Sequence, residues 1–398
     1  MAADSARLAR RAGSGQPAHD RIIPPEACPP VRLADLPTPC LVLDRGVLRR
    51  NLAAMADALA GHGVALRPHM KTAKTIEVAR LALDGQPGGI TVSTLAEAEY
   101  FSAHGILDLL YAVGITPQKL EQVAKLNGAG ADCMVVTDDP AMAEAIAAHP
   151  VPVRALIELD TGEHRSGVSP DGPALLDIAA RLGPRLAGVM THGGHSYAAR
   201  TPEDLQAVAE QERAGAVLAA ERLRGAGFTV DIVSVGSTPT ALHAAGLEGV
   251  TEVRAGVYMF GDLFQAALGS HGLDGIALTV LASVIGRRPA EGRLLVDAGG
   301  LALSKDRSTQ ATAHDFGFGL VLGPDAAPVY GGAVVRHAYQ EHGVVDLDPA
   351  LPYPDLGVGA RVRIAPNHAC MTAAAHDRYH VVDGSDEVVA VWMRVNGW

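Results

Sequence analysis

Four short segments of this chain carry side chains that can do chemistry. The first is Arg67-Pro68-His69-Met70-Lys71-Thr72-Ala73-Lys74, which follows the apolar run Val64-Ala65-Leu66 and precedes a helical pattern. Lys71 therefore stands where a buried strand ends. Desolvating an ammonium is costly unless chemistry uses it, and a lysine of lowered pKa suits a Schiff base with an aldehyde cofactor. Taken alone, the plainer reading of Lys71 is the stronger one: a solvated lysine at a strand-to-helix turn. The second segment, Gly236-Ser237-Thr238-Pro239-Thr240, offers a glycine for close ligand approach, two hydroxyls, and a proline suited to a first helical turn. Backbone N–H groups at such a helix start face a phosphate, although a simple cap by Ser237 or Thr238 explains the same residues equally well. Lysine and phosphate loop together point to pyridoxal phosphate.

The third segment, Thr161 to Gly167, holds Arg165, which is either a surface cation or a donor to a cofactor oxygen or substrate carboxylate. Nearby, Thr191-His192-Gly193-Gly194-His195-Ser196-Tyr197 places Tyr197 to cover a cofactor ring or meet its nitrogen. A neutral partner at that nitrogen weakens the ring as an electron sink, so the leaving group needs help from elsewhere. The fourth segment, Pro366-Asn367-His368-Ala369-Cys370, offers it. His368 and Cys370 fall on one face if the segment is extended, and both are zinc ligands by type. Two ligands are few for a structural site but leave positions for water and substrate. By itself a His-x-Cys pair means little. A further polar cluster, Glu341-His342-Gly343, reads equally well as a surface turn.

These segments need a scaffold, and the pattern of the chain supplies one. Short apolar runs alternate with Ala/Leu-rich amphipathic stretches from about residue 46. Eight strands are expected, at Val64–Arg67, Gly89–Ser93, Leu109–Val113, Asp132–Thr137, Val153–Leu159, Leu186–Thr191, Val230–Val235 and Glu252–Phe260. Helical patterns such as Ala73–Leu83, Ala96–His104, Gln118–Lys125 and Pro202–Ala226 lie between them, with Thr94 and Glu97 spaced as a capping box. Eight strand-helix units fit an α/β fold of the (β/α)₈ barrel type. A doubly wound sheet ranks second, because no glycine-rich dinucleotide fingerprint follows the first strand. In such a barrel chemistry gathers on the loops after the strands, where Lys71, Arg165, Tyr197 and the Ser237 loop fall; Tyr258 lies near the end of strand eight. After residue 275 short β-branched runs separated by Gly, Pro and Asp, at Leu278–Ile285, Arg293–Asp297, Gly332–Arg336, Ala360–Ile364, His380–Val382 and Val388–Val395, predict an antiparallel β domain, joined by Cys40-Leu41-Val42-Leu43. The expected division is a disordered tail at 1–34, a barrel at 46–275, and a β domain from 35–45 and 276–398.

The 398 residues are 48% hydrophobic, enough for a large core. A formal charge of −11 argues against nucleic acid or anionic membrane as a partner. Only 4% of residues are aromatic, which disfavours a base-stacking platform. No run approaches a membrane span, and the four cysteines show no paired spacing, which fits the reducing cytoplasm. The basic stretch Arg7 to Arg11 reads as part of the tail.

The Arg-Pro-His-x-Lys-Thr run at 67–72 resembles the cofactor-lysine motif of D-serine dehydratase-like and D-threonine aldolase-like enzymes, the metal-activated branch of the alanine-racemase-fold pyridoxal phosphate enzymes. The similarity continues in order through Ile90–Glu99, Glu158–Val168, Ser234–Thr240, Glu252–Tyr258 and Pro366–Cys370. It implies that Lys71 carries the cofactor, that Arg165 lies near its phenolic oxygen, and that Tyr197 lies near its ring nitrogen. Gly236, Ser237, Thr238 and Tyr258 would bind the phosphate, and His368 and Cys370 a divalent metal, zinc in preference to manganese or cobalt. The resemblance further implies a homodimer whose barrel and β domain face each other across subunits. Aldolase-type members read His-Cys-Asp where this chain has His368-Ala369-Cys370, the dehydratase-like form. The activity so implied is a lyase turning a small D-3-hydroxy amino acid into a 2-oxo acid and ammonia. Its rivals are an aldolase, a racemase and a cofactor-binding protein without catalysis.

Overall fold

The computed structural model describes residues 31–398. The expected tail therefore lies outside the described residues as far as 30, together with Cys28 and the basic stretch at 7–11. Its boundary at 34 needs correcting. Val31–Arg32 pairs antiparallel with Glu387–Val388, and Leu33 is buried beside Leu36 and Val382.

Eight parallel strands run around one sheet: Ala65–Leu66, Ile90–Val92, Asp108–Gly114, Asp132–Thr137, Ala155–Leu159, Leu186–Thr191, Ile232–Val235 and Glu252–Val253. The eighth pairs with the first, Glu252 opposite Ala65. The remaining seam, between first and second, is closed just beyond the strand: Thr91 donates to the Pro68 carbonyl (2.9 Å) and its own carbonyl accepts from Met70 (2.8 Å). The sheet is a closed (β/α)₈ barrel. Strand eight is much shorter than the expected Glu252–Phe260. Gly256 takes the chain out of the strand, and Val257–Met259 forms a 3₁₀ turn instead.

The helices follow from local chemistry. In Arg45–Ala60, Leu48, Leu52, Met55 and Leu59 fall on one buried stripe, and Asp44 caps the start through the Val47 N–H (2.9 Å). Thr94 caps Leu95–Ala103 by accepting from Glu97 (3.1 Å). The Glu97 carboxylate reaches one residue further back than a capping box requires and accepts from the Ser93 N–H (3.1 Å). It also pairs with Lys74 at 3.1 Å, which ties this helix start to the turn after Lys71.

The second body is a nine-stranded sheet, antiparallel except where Arg378–Val382 pairs parallel with Cys40–Asp44. Cys40–Asp44 inserts between that strand and Leu278–Arg288, so the segment before the barrel is stitched into the middle of the C-terminal sheet. Two of its strands, Leu320–Leu322 and Gly343–Asp346, lie outside the expected runs; each is only three or four residues long and begins beside or on a glycine.

Candidate active site

A cavity of about 570 Å³ opens where the barrel strands end, and Lys71, Arg165, Tyr197, Gly236, Ser237, Thr238, His368 and Cys370 all line it. Tyr258 does not. It sits on the 3₁₀ turn behind the wall, buried, with its hydroxyl lacking a hydrogen-bond partner, while its N–H donates to Thr238 Oγ1 (3.1 Å).

Lys71 lies in the tight turn between strand one and the helix Ile76–Leu83, which begins later than the expected Ala73. Its side chain is exposed to the cavity, as the plainer reading of a solvated lysine at a strand-to-helix turn has it. The turn itself is buried on both sides of it, at Met70, Thr72 and Ala73.

The strand-seven loop also departs from its sequence reading. Gly236 has φ +129°, and a Cβ there would lie 2.3 Å from the Arg254 carbonyl oxygen. The glycine serves the close approach of strand eight rather than of a ligand. Ser237 is the cap of Thr238–His243, accepting from the Thr240 N–H (3.3 Å) and meeting Ser196 Oγ at 3.1 Å. Behind the loop, buried Glu212 of the helix Pro202–Gly225 accepts from the Gly236 N–H (2.8 Å) and the Thr240 hydroxyl (2.8 Å). Two helical turns, starting at Thr238 and at Val257, lie together in the cavity wall, and the N–H groups of Thr238 and Val257 themselves have no acceptor among the described residues. That part of the wall suits an anion, and the exposed Lys71 amine lies on the same cavity wall system, so the donor set fits pyridoxal phosphate.

Several lining residues lie within the quoted segments but were given no role there. Arg254, on the chain leaving strand eight, is buried and donates to Ser234 Oγ (2.6 Å) and the Thr191 carbonyl (2.6 Å). Glu158 is buried too, and burial raises its carboxyl although Ser166 donates to it (2.8 Å) and Arg165 lies 3.8 Å away. Arg165 itself is half exposed and also reaches Glu163 at 3.5 Å. Burial and the neighbouring Lys71 charge push His192 down to about 3 and hold His69 well below the usual imidazole value. His192 must then donate from Nδ1 to the Gly236 carbonyl (3.0 Å), leaving its Nε2 lone pair free. Tyr197 stacks on Phe264 (5.8 Å between centroids, 16° between planes), and burial raises its phenol, which stays neutral.

At the opposite side, His368 caps the short helix Ala369–Ala373 and Cys370 lies in its first turn. The Asp262 carboxylate accepts from the Ala369 N–H (2.9 Å), fixing the backbone between them. Burial works against a charged His368, but the Cys370 thiolate and a 3.5 Å contact with Asp306 push it up to about 11. Burial likewise opposes a thiolate, yet His368 and Lys71 hold Cys370 below the usual thiol value. Among the described residues no third His, Cys, Asp or Glu joins the pair to complete a metal cluster. An imidazole and a thiolate side by side remain a fitting donor set for a borderline-soft cation with open positions. The pair and the lysine line one cavity of this chain.

The family pattern described as "Alanine racemase, N-terminal domain" matches residues 43–263, and that described as "Putative serine dehydratase domain" matches residues 277–382. The D-threo-3-hydroxyaspartate dehydratase of Delftia sp. (strain HT23) is 46% identical over 381 residues, covering 92% of this chain and 99% of that protein. The chain belongs to the D-serine dehydratase-like family of alanine-racemase-fold proteins. The solved structure of the Delftia enzyme superimposes with a TM-score of 0.89 at 44% identity, covering 92% of this chain and all of that one (100%). A D-serine dehydratase of Dictyostelium discoideum is 30% identical over 89% of this chain and 95% of its own length. A D-threonine aldolase of Arthrobacter sp. is 33% identical over 90% and 93%. Family membership thus covers both the barrel and the β domain. No helix among the described residues is long and apolar enough to cross a membrane.

Proposed function

We propose that this chain is a pyridoxal phosphate- and metal-dependent dehydratase of D-3-hydroxy amino acids, releasing a 2-oxo acid and ammonia. One observation carries the reading: Lys71 and the His368/Cys370 pair line the same cavity, with Thr72 in contact with Cys370 at 3.2 Å. A lysine, a pair of helical N-termini and a metal-ligand pair are the three parts such a reaction needs. Pyridoxal phosphate, when bound, supplies the electron sink for charge at the α-carbon. The metal, when bound, supplies Lewis acidity at the β-hydroxyl.

The chain's own residues divide the remaining work. Lys71 holds the cofactor and, once freed, takes the α-proton on its amine. The turns at Thr238 and Val257 would hold the phosphate, and Arg165, steadied by Glu158 and Glu163, would serve the cofactor's phenolic oxygen. Neutral Tyr197 would serve the ring nitrogen. His368 and Cys370 hold the metal, with zinc preferred for its affinity for thiolate. A cysteine-to-alanine variant of the Delftia enzyme has been solved in a metal-free form, which supports a metal in the family.

Cleavage between Cα and Cβ, the aldolase outcome, needs a base for the β-hydroxyl proton, and burial makes His69 and His192 weak bases by holding both below the usual imidazole value. Alanine between the two ligands favours dehydration. The test is a product assay with D-serine, D-threonine and both D-3-hydroxyaspartate diastereomers, with and without chelator. Pyruvate, 2-oxobutanoate or oxaloacetate with ammonia, lost in chelator and restored by zinc, is the expected result. Acetaldehyde and glycine from D-threonine would replace this reading by the aldolase, and full activity in chelator with inversion of the α-carbon would replace it by a racemase. Free thiols at Cys40, Cys133 and Cys370 support a cytoplasmic location. A homodimer rests on the family resemblance, and sedimentation tests it.

A further inference from the structure

The residue after the lysine has work of its own. Thr72 is fully buried, and its Oγ1 lies 3.2 Å from Cys370 Sγ, the one hydrogen bond of that hydroxyl among the described residues. The turn that carries it is pinned from three sides. Lys74 donates its N–H back to Met70 (2.8 Å) while its ammonium meets buried Glu97 at 3.1 Å. From the β domain, the Tyr379 hydroxyl donates to the Ala73 carbonyl (2.8 Å) and the Val395 N–H to the Lys74 carbonyl (2.9 Å). Lys74 is held at φ +51°, a conformation uncommon for any residue but glycine. Gly256 backs the hydroxyl closely: a Cβ there would stand 3.2 Å from Thr72 Oγ1. The sulfur is the hydroxyl's partner.

We propose that Thr72 is a positioning residue for the metal: its hydroxyl donates to the Cys370 thiolate, orients the sulfur, and joins the lysine-bearing turn to the metal pair. This rests on reading His368 and Cys370 as metal ligands. A ligating thiolate has no proton to give, so the hydroxyl is the donor. Groups that hydrogen-bond a metal ligand typically contribute 10- to 100-fold to metal affinity, and a single O–H···S bond belongs at the low end, about 10-fold. Because the same turn carries Lys71, the sulfur and the amine keep a fixed relation when substrate enters between them.

Cobalt(II) chloride titrated into chelator-stripped protein tests this without reference to turnover. Wild-type protein should show a sulfur-to-cobalt charge-transfer band. In Thr72→Val, which keeps the shape and loses the hydroxyl, that band should move to lower energy and cobalt should bind about 10-fold more weakly. Thr72→Ser should restore both. In a Cys370→Ala background, Thr72→Val should leave cobalt affinity unchanged, as a coupled pair requires. An unshifted band and unchanged affinity in Thr72→Val overturn the positioning role while leaving the metal reading intact. A loss that persists in the Cys370→Ala background reduces Thr72 to packing and overturns it as well. A wild-type protein with no charge-transfer band removes the metal reading, and this inference with it.

Discussion

On the barrel side of the cavity, the loop from Gly236 to Thr240 is held from behind by Glu212, from one flank by Ser196 and from the other by the Tyr258 N–H. On the β-domain side, His368 leaves 37% of its side chain exposed and touches Asp306 at 3.5 Å. The first arrangement spends its side-chain contacts on keeping its own shape. The second keeps two functional atoms available, with the backbone between them fixed by Asp262 and the side chains touched by Asp306 and Thr72. A group that stays bound through every turnover suits a preformed cradle. A cation that must also accept a substrate oxygen needs coordination positions left open. The barrel side is built as a holder and the β-domain side as a reagent, and substitutions should separate the two.

The largest effect is expected at the holder's single covalent point. Lys71→Ala should abolish the Schiff-base absorbance and lower turnover by at least 10²- to 10⁴-fold, since a general base is lost along with the attachment. The apoprotein should still take up zinc. Retained absorbance in Lys71→Ala would mean that another amine carries the cofactor.

Next in size is the reagent. Cys370→Ala should cost on the order of 10³-fold in dehydration, because several kcal/mol of Lewis-acid assistance are lost, with the Schiff-base absorbance unchanged. The metal-free state also makes a proton prediction. Its imidazole is pushed up to about 11, beside a thiol held below its usual value. Zinc requires the imidazole lone pair, so uptake near neutral pH should release the His368 proton. Titration calorimetry in buffers of different ionisation enthalpy measures it; no proton release would contradict a protonated His368 in the metal-free state.

A smaller effect is expected from the support behind the cradle. Glu212→Ala removes the acceptor for the Gly236 N–H and the Thr240 hydroxyl and should cost about 1–3 kcal/mol of stability, together with cofactor affinity. Metal affinity should not change. Burial raises the Glu212 carboxyl although Gly236 and Thr240 donate to it. A raised carboxyl favours the folded state most when protonated, so its contribution is full below the ordinary value of 4.5 and is lost as pH rises through the raised one. Glu212→Gln should flatten that part of the stability profile, which chemical denaturation across pH would record.

How much of this was legible beforehand divides along the same line. All eight barrel strands overlap runs marked by their apolar, β-branched character, the third overrunning its run by one residue at each end, because a parallel strand buried on both faces declares itself in composition. Lys71, Arg165, Tyr197, the Gly236–Thr238 loop and the His368/Cys370 pair were singled out, and they share a cavity. Their reasons were less legible. Gly236 faces a backbone rather than a ligand, whereas the Ser237 cap and the exposed Lys71 match the plainer readings that stood beside the chemical ones. Glu212 was invisible: on a 24-residue helix of mixed charge it reads as one more solvated acid, and only the packing of that helix against the strand-seven loop buries it. Arg67 was read as part of a motif, yet it is a buried strut between Glu252 (2.7 Å) and Asp108 (2.8 Å). Partners so distant in sequence leave no periodicity to find. The short strands Leu320–Leu322 and Gly343–Asp346 failed for another reason, since three or four residues are too few to establish an alternation.

The smallest effect is expected where holder and reagent touch. Asp262 follows strand eight of the barrel, yet its Oδ2 accepts from Ala369 between the two ligands while its Oδ1 accepts from Gln265 (2.8 Å). Asn in its place keeps one acceptor oxygen and presents an amide donor to the other N–H, so one backbone bond must be given up. The expected cost is about 1 kcal/mol. The bond given up decides what else changes. If the Gln265 bond is kept, because it caps Leu263–Ala267 from within the same segment, the Ala369 backbone loosens and zinc affinity should fall severalfold with cofactor affinity untouched. If cofactor affinity falls instead and zinc affinity holds, Asp262 belongs to the cradle, and the boundary between holder and reagent lies further into the β domain than the contacts to Ala369 imply. Parallel zinc and pyridoxal phosphate titrations of Asp262→Asn separate the two outcomes.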